Sequence, residues 1–390
     1  MTQPFIESEL QDLQDKDLYR TLRSLEPVSG NRYLLNGREI LLFCNNDYLG
    51  LSRHPRMIEV SKKALDQYGT GAGAARLISG SSDVHEKLEQ AIASFKEKES
   101  ALVFSAGYVA NLGVVTALAR ETDLIVLDKL CHASVIDASR LSGAEIRVYP
   151  HRNYEKCEEI LGKSESGRKK ILVTDGVFSM DGDSADLAEL VRMKLKYDCM
   201  LVVDDAHATG VSGKKGRGSY EDAGLAEHID VVTGTLSKAA GCLGGFAAAS
   251  KQIIEYLVNK SRPFIFATAL PPVLCRAALE AFTMMKEDDS FRTELFRNLE
   301  IFTAKLKPEL KPAERITFPI IPIILGSEKA ALQAAADLLL QGYLVPAIRY
   351  PTVGRGKARL RVTLNALHKP KEIEAFAGAL NRLNPQIEKE

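Results

Sequence analysis

Residues 199–205 read CMLVVDD, an apolar run of strand length that ends on two aspartates. A strand with one wet face alternates apolar and polar residues; this run does not, so it predicts a strand covered on both faces. Four more runs share the pattern: SALVF at 100–104, DLIVLD at 123–128, KILVTD at 170–175 and IDVVTG at 229–234. Small or polar residues follow each run, and helix-length segments such as ADLAELVRMKLKYD at 185–198 separate them. Doubly covered strands alternating with helices predict a mainly parallel sheet in an α/β layer, with the large domain over 46–285. Within it, Asp83 with Glu86 makes a capping box for a helix that buries Val84, Leu88, Ala91, Ile92 and Phe95.

The flanks read differently. Over 1–45 we expect a helix and a strand segment, because Leu10, Leu13, Leu18, Leu22 and Leu25 fall on one side at helical spacing. Over 286–390 the order is a charged helix, a Pro-punctuated strand FPIIPIIL, a second helix, the segment YLVPAIRYPTV, the alternating strand ARLRVTLN and a closing helix. That order predicts a smaller C-terminal α+β domain.

Bulk properties narrow the ligand classes. Lys plus Arg and Asp plus Glu both total 51 in 390 residues, so no basic excess points to nucleic acid. The six cysteines, at 44, 131, 157, 199, 242 and 275, stand singly, with no zinc-type spacing, so no metal is expected. The N-terminus lacks the basic start and apolar run of a signal peptide, and no apolar run approaches the roughly 18 residues that cross a bilayer. These features predict a cytoplasmic protein that acts on small molecules.

The polar residues gather just beyond the predicted strands: His132 after DLIVLD, Asp175 and Ser179 after KILVT, Asp204 and His207 after CMLVV, Thr235 and Lys238 after IDVV. In a parallel sheet these carboxyl ends share one edge, where open α/β folds bind ligands. Alone, each has a plainer reading as a loop histidine, a capping aspartate or a solvated lysine. A fifth strand end, ALVFSAGYVANLGVV, is a strand, a Gly-containing turn and a helix start, which aims backbone N–H groups of Gly107 and Tyr108 at an anion. The stretch GTGAGAARLISG at 69–80 does not match the spacing of a phosphate-binding loop. An anion-holding turn, a carboxylate, a stacking-capable histidine and a lysine among small residues together suit pyridoxal 5'-phosphate. Its aldehyde takes a lysine amine, and its ring nitrogen stays protonated beside an aspartate.

The motifs FCNNDYLGL, SAGYVANLG, DKLCHASVIDASRLS, VTDGVFSMDGD, VVDDAHATGVSGKKGRG, GTLSKAAG, FIFATALPP and RLRVTLN, in this order, resemble the α-oxoamine synthases over nearly the whole chain. The resemblance implies a fold type I, aminotransferase-like architecture with a seven-stranded sheet, and a homodimer whose site lies between subunits. It implies that Lys238 holds the cofactor, Asp204 pairs with the ring nitrogen, His132 stacks on the ring, and Ser179 and His207 approach the ring oxygen. Gly107, Tyr108 and Thr235 hold the phosphate on this reading, with Thr268 from a partner subunit. Asn46 lies near the cofactor, Arg361 binds the amino-acid carboxylate, Thr352 belongs to the acyl-substrate motif, and either Arg20 or Arg23 binds substrate. Asp175 stands where some members have Glu, which leaves it without an assigned role.

Pattern supports one of these roles separately. Alternation in ARLRVTLN puts Arg359, Arg361 and Thr363 on one face, and a guanidinium there grips a carboxylate, whereas Arg359 is expected to be an exposed strand charge. FIFATALPP and VPAIRYPTV look most like the family members that condense L-alanine with pimeloyl-CoA or pimeloyl-acyl carrier protein. The alternatives are the glycine-using 2-amino-3-oxobutyrate CoA ligase of the same family and, from another class, a non-catalytic α/β binding subunit.

Overall fold

The five apolar runs form strands of one seven-stranded sheet in the computed structural model, which describes residues 3–383. In chain order the strands are β1 (Ser100–Phe104), β2 (Leu124–Asp128), β3 (Glu145–Tyr149), β4 (Lys170–Asp175), β5 (Cys199–Asp204), β6 (Val231–Thr235) and β7 (Gly245–Ala249). Their spatial order is β1-β7-β6-β5-β4-β2-β3. Every neighbouring pair is parallel except those made by β7, which runs antiparallel to both β1 and β6.

Period-2 geometry sends alternate residues of each strand to opposite faces, and here both sets are apolar. Leu102, Ile125, Val173, Val202 and Val231 join one buried cluster with the helices Gly107–Leu118, Ala133–Ser142 and Lys251–Lys260. Leu124, Val126, Leu172, Leu201, Val203 and Val232 join another with the helices Tyr154–Gly162 and Leu187–Tyr197. Each such side chain contributes about 1.5–3 kcal/mol on burial, which fixes the register. That register places Asp175 level with Asp204, and Asp204 level with Thr233.

This sheet belongs to one compact unit, Asp47–Ser179 with Asp183–Arg292. The other unit holds the residues up to Asn46, Met180–Gly182 and those from Thr293 on. It has a three-stranded antiparallel sheet, Ile320–Gly326, Ala358–Thr363 and Ala347–Ile348, and a four-stranded sheet ending on Tyr343–Leu344. Its core is built around Phe43, whose ring stacks on that of Phe376 with centroids 3.8 Å apart.

Three local expectations change. The leading helix, Pro4–Asp15, ends before Leu18, and Leu22 is fully exposed, so the leucine stripe is not one helical face. Asp17 turns left-handed, with φ 55°, which breaks the periodicity. The capping box sits one residue earlier than Asp83: the Ser82 N–H donates to Nδ1 of His85 at 3.2 Å. Arg359 is not exposed but buried, with Nη1 2.6 Å from Oδ1 of Asp181 and 3.1 Å from the Met180 carbonyl. The carboxylate and carbonyl satisfy a guanidinium that burial alone would penalise.

Candidate active site

At the carboxyl edge of the large sheet, β5 ends on Asp204, which is buried. Its Oδ1 accepts the N–H of Ala206 at 3.0 Å and its Oδ2 the Nδ2 of Asn111 at 2.5 Å. Asn111 lies one turn into the helix Gly107–Leu118 and is itself buried. Its second Nδ2 hydrogen goes to Oγ of Ser134 at 2.8 Å, and its Oδ1 accepts from Oγ1 of Thr233 at 2.6 Å. All polar positions of the amide are therefore used, which fixes its orientation and that of Asp204.

The same network reaches His132. This residue caps the helix Ala133–Ser142: its Nδ1 accepts the Ser134 N–H at 3.3 Å and lies 2.7 Å from Ser134 Oγ. An accepting Nδ1 puts the ring proton on Nε2. Burial pushes the imidazole below its ordinary range, Asp204 pulls it up, and the Lys238 ammonium pushes it down again. Lys238 and Asp204 thus both act on this ring. The backbone N–H of His132 donates to Oδ1 of Asp175 at 3.1 Å. Asp175 is buried, and burial together with Asp204 raises its carboxyl well above the ordinary carboxylate range. That raised carboxyl anchors the His132 loop through this hydrogen bond.

Lys238 lies in the tight connection between β6 and β7, where the Gly241 N–H donates to its carbonyl at 2.9 Å. Thr235 ends β6, buried, with Oγ1 2.7 Å from Ser237 Oγ and 3.0 Å from the Gly244 carbonyl. Gly107 packs against it: a Cβ at Gly107 would meet Thr235 Cβ at 2.9 Å and Oγ1 at 3.1 Å. The helix starting at Gly107 has no side-chain cap on its first N–H groups, and its first residue packs beside the Thr235 hydroxyl, a cradle with the chemistry to hold an anion. Tyr108 donates to Asp137 and faces the His132 ring edge-on, centroids 6.4 Å apart. His207 is buried with Nδ1 2.7 Å from the hydroxyl of Tyr48. Ser179 sits in the turn after β4. Thr268 is exposed and bridges to Ala75.

A family model of aminotransferase class I and II matches residues 38–380. An 8-amino-7-oxononanoate synthase of Citrifermentans bemidjiense is 43% identical over 381 residues, covering 97% of this chain and 98% of that one. One of Thermoanaerobacter pseudethanolicus is 41% identical over 384 residues, 98% and 97% of the two chains. A serine palmitoyltransferase of S. paucimobilis, solved with a PLP–myriocin aldimine, superposes with TM-score 0.92 at 31% identity over 97% of this chain and 96% of that one. The chain belongs to the class I and II aminotransferase family, as an α-oxoamine synthase.

In an α-oxoamine synthase such as this, the other residues singled out in the sequence lie in the unit that contains Thr293 onward. Arg361 is buried on the strand Ala358–Thr363, its Nη1 3.2 Å from Oδ1 of Asn46. Arg23 and Arg361 both act on the Cys44 thiol, which burial raises to about 11. Arg20 instead donates to the Tyr350 carbonyl at 3.3 Å, and Thr352 N–H bonds the Arg349 carbonyl at 3.0 Å. The two N-terminal arginines are thereby separated: Arg23 shares the surroundings of Arg361, and Arg20 braces the segment bearing Thr352.

Sequence reasoning missed Asn111, Ser134 and Tyr48. Their signals were present within quoted motifs, SAGYVANLG, DKLCHASVIDASRLS and FCNNDYLGL. The pairing of a mid-helix amide with a strand-end carboxylate is a tertiary fact that spacing does not encode.

Proposed function

We propose that this chain catalyses the decarboxylative condensation of L-alanine with a pimeloyl thioester. The products are 8-amino-7-oxononanoate, carbon dioxide and the freed thiol carrier, in biotin biosynthesis. The observation that carries the reading is the Asp204–Asn111–Ser134–His132 network beside Lys238, in a chain whose full-length relatives bear that enzyme's name. Coenzyme A or an acyl carrier protein bears the acyl group.

The donor set suits pyridoxal phosphate. Gly107 and Tyr108 open an uncapped helix beside Thr235, fit for a phosphate, and the fixed Asp204 carboxylate suits a ring N–H. Lys238 offers the amine, His132 an aromatic face, and Ser179 and His207 the groups toward the ring oxygen. When bound, this cofactor supplies the electron sink for negative charge on the alanine Cα.

The chain's own groups divide the remaining work. Arg361 grips the alanine carboxylate bidentately. The Lys238 amine, neutral at that stage, takes the proton from Cα, a transfer typically worth about 10²–10⁴ in rate. His132 Nε2–H donates to the developing oxyanion of the thioester carbonyl as Cα attacks and the thiolate leaves. Lys238 returns a proton to Cα after the carboxylate departs as carbon dioxide.

We further read the enzyme as a homodimer. Leu77, Ile78 and Phe266 expose their side chains on two segments joined by the Ala75–Thr268 bridge, an apolar patch of the kind that marks an interface. A second subunit on that patch covers it and brings Thr268 to a site. Among the described residues no helix is long and apolar enough to cross a membrane, and the six cysteines are free, which supports a reducing, cytoplasmic setting.

The test is a spectral titration of the pyridoxal-phosphate-loaded protein with alanine or glycine, then pimeloyl-CoA or the pimeloyl carrier protein, with product identified by mass. Alanine is expected to perturb the chromophore and to give 8-amino-7-oxononanoate. A response confined to glycine, with an acetyl thioester as the productive donor, would instead assign the ligase activity. Lys238→Ala is expected to lower turnover by at least about 10³, in keeping with loss of a proton-transfer group.

A further inference from the structure

His151 follows β3 and has no part in the chemistry above. Its ring stands edge-on to Phe178, centroids 4.5 Å apart at 85°. Nδ1 lies 2.9 Å from Oδ1 of Asp128, and Nε2 lies 2.8 Å from Oδ2 of Asp183. A neutral imidazole carries one N–H, so it can donate to only one of two carboxylates; two such contacts call for the imidazolium.

Both carboxylates belong to loops of the candidate site. Asp128 ends β2, and its Oδ1 also accepts the Leu130 N–H at 2.8 Å, two residues before His132. Asp183 closes the turn after β4: its carbonyl accepts the Phe178 N–H at 2.9 Å, and Ser179 lies between them in sequence. We propose that His151 is a positioning residue, a charged bridge that ties the loop carrying His132 to the loop carrying Ser179. The bridge stands on its own geometry, and its effect on cofactor binding rests on the reading under Proposed function.

The surrounding charges agree with this role. Arg152 donates its backbone N–H to Oδ2 of Asp128 at 2.8 Å and its Nη1 to Oδ2 of Asp183 at 3.3 Å, so each carboxylate has a second donor. The buried groups near Asp128 do not compete for its charge. Burial pushes the Cys131 thiol and the Tyr149 phenol far above their ordinary values and the Cys157 thiol to about 12, leaving these three neutral, and it raises Asp175 likewise. At His151 burial pulls the pKa down, but the hydrogen bonds to Asp128 and Asp183 outweigh it and lift the ring to about 9. The unfolded value lies near 6.5. A folded pKa raised above it means that the bridge's stabilisation is complete below about pH 6.5 and is lost as pH rises through about 9.

Long-range proton–nitrogen spectra of the histidine rings test the bridge with or without cofactor, His151→Gln assigning the signal. Both ring nitrogens should be protonated at about pH 7, with a midpoint near 9 that Asp183→Asn lowers. Loss of the bridge in His151→Gln should speed amide exchange in residues 129–132 and 178–183. It should weaken pyridoxal-phosphate binding about tenfold or more and flatten the alkaline fall in affinity. A neutral His151 tautomer at about pH 7 overturns the charged bridge. Unchanged exchange in both loops overturns the positioning role. Should the protein bind no pyridoxal phosphate, the proposed function fails while the ring spectra and exchange still judge the bridge. If His151→Gln does not fold, Asp183→Asn, with the wild-type spectra, judges it.

Discussion

Beside Asp204 in the chain stands Asp205, fully buried against an equally buried Lys96, with Nζ 2.8 Å from Oδ2. The Asp205 carboxylate also accepts the N–H and O–H of Ser219 at 3.2 and 2.6 Å, and Lys96 donates to the Arg217 carbonyl. Burying two charges is costly, but removing one partner costs more, because the other is then left uncompensated. Lys96→Met is therefore expected to lose about 3–5 kcal/mol in urea unfolding. Lys96→Met with Asp205→Asn should lose less, since the amide oxygen still accepts from Ser219. A double variant as unstable as the single would refute this account. Neither partner is legible as buried in the sequence, where a lysine in SFKEKES reads as one more surface charge. Lys238, Asp204, His132 and Thr235 were legible because each follows an apolar run, and the sheet's register sets such positions along one edge.

Among the elements, β3 and β7 were not found as strands by apolar runs. The β3 sequence EIRVY is partly exposed at the sheet's edge, with Arg147 at its centre, and so lacks a continuous apolar signal. The β7 sequence GFAAA is apolar but small, with low strand propensity, and it is a strand because β1 and β6 pair with both its edges. Gly245 opens β7 against the anion cradle: a Cβ there would lie 2.3 Å from the Ala106 carbonyl oxygen and 2.6 Å from the Gly107 nitrogen. Backbone atoms cannot swing aside as side chains do. Gly245→Ala should thus destabilise the protein by about 1–3 kcal/mol and weaken pyridoxal-phosphate binding at the displaced helix start. Titration by absorbance with unfolding on the same sample checks this. Wild-type affinity in the variant would mean that the cradle does not hold the phosphate.

For the whole molecule, the proposed dimer is tested at the exposed patch. Ile78 is 80% exposed and Phe266 69%, the latter with the Arg262 guanidinium 4.8 Å above its ring. A large apolar anchor at an interface typically carries more than about 1 kcal/mol of binding. Phe266→Asp should raise the dimer dissociation constant by about tenfold or more, read by sedimentation velocity. A monomeric wild type, or a variant that assembles as well as the wild type, would exclude this surface as the interface.

By itself the sequence determined the α/β class, five apolar strands of the large sheet, the elements after residue 286 and the edge on which polar groups gather, because hydrophobic periodicity is a local signal. Its motifs in order also determined the family. Only the tertiary structure decided the antiparallel β7, the burial of Arg359, the Asn111 amide on Asp204, the raised Asp175 carboxyl and the His151 bridge. Each depends on partners distant in the chain, and the protonation state and burial of a charged group follow from what folding places beside it, not from its neighbours in sequence.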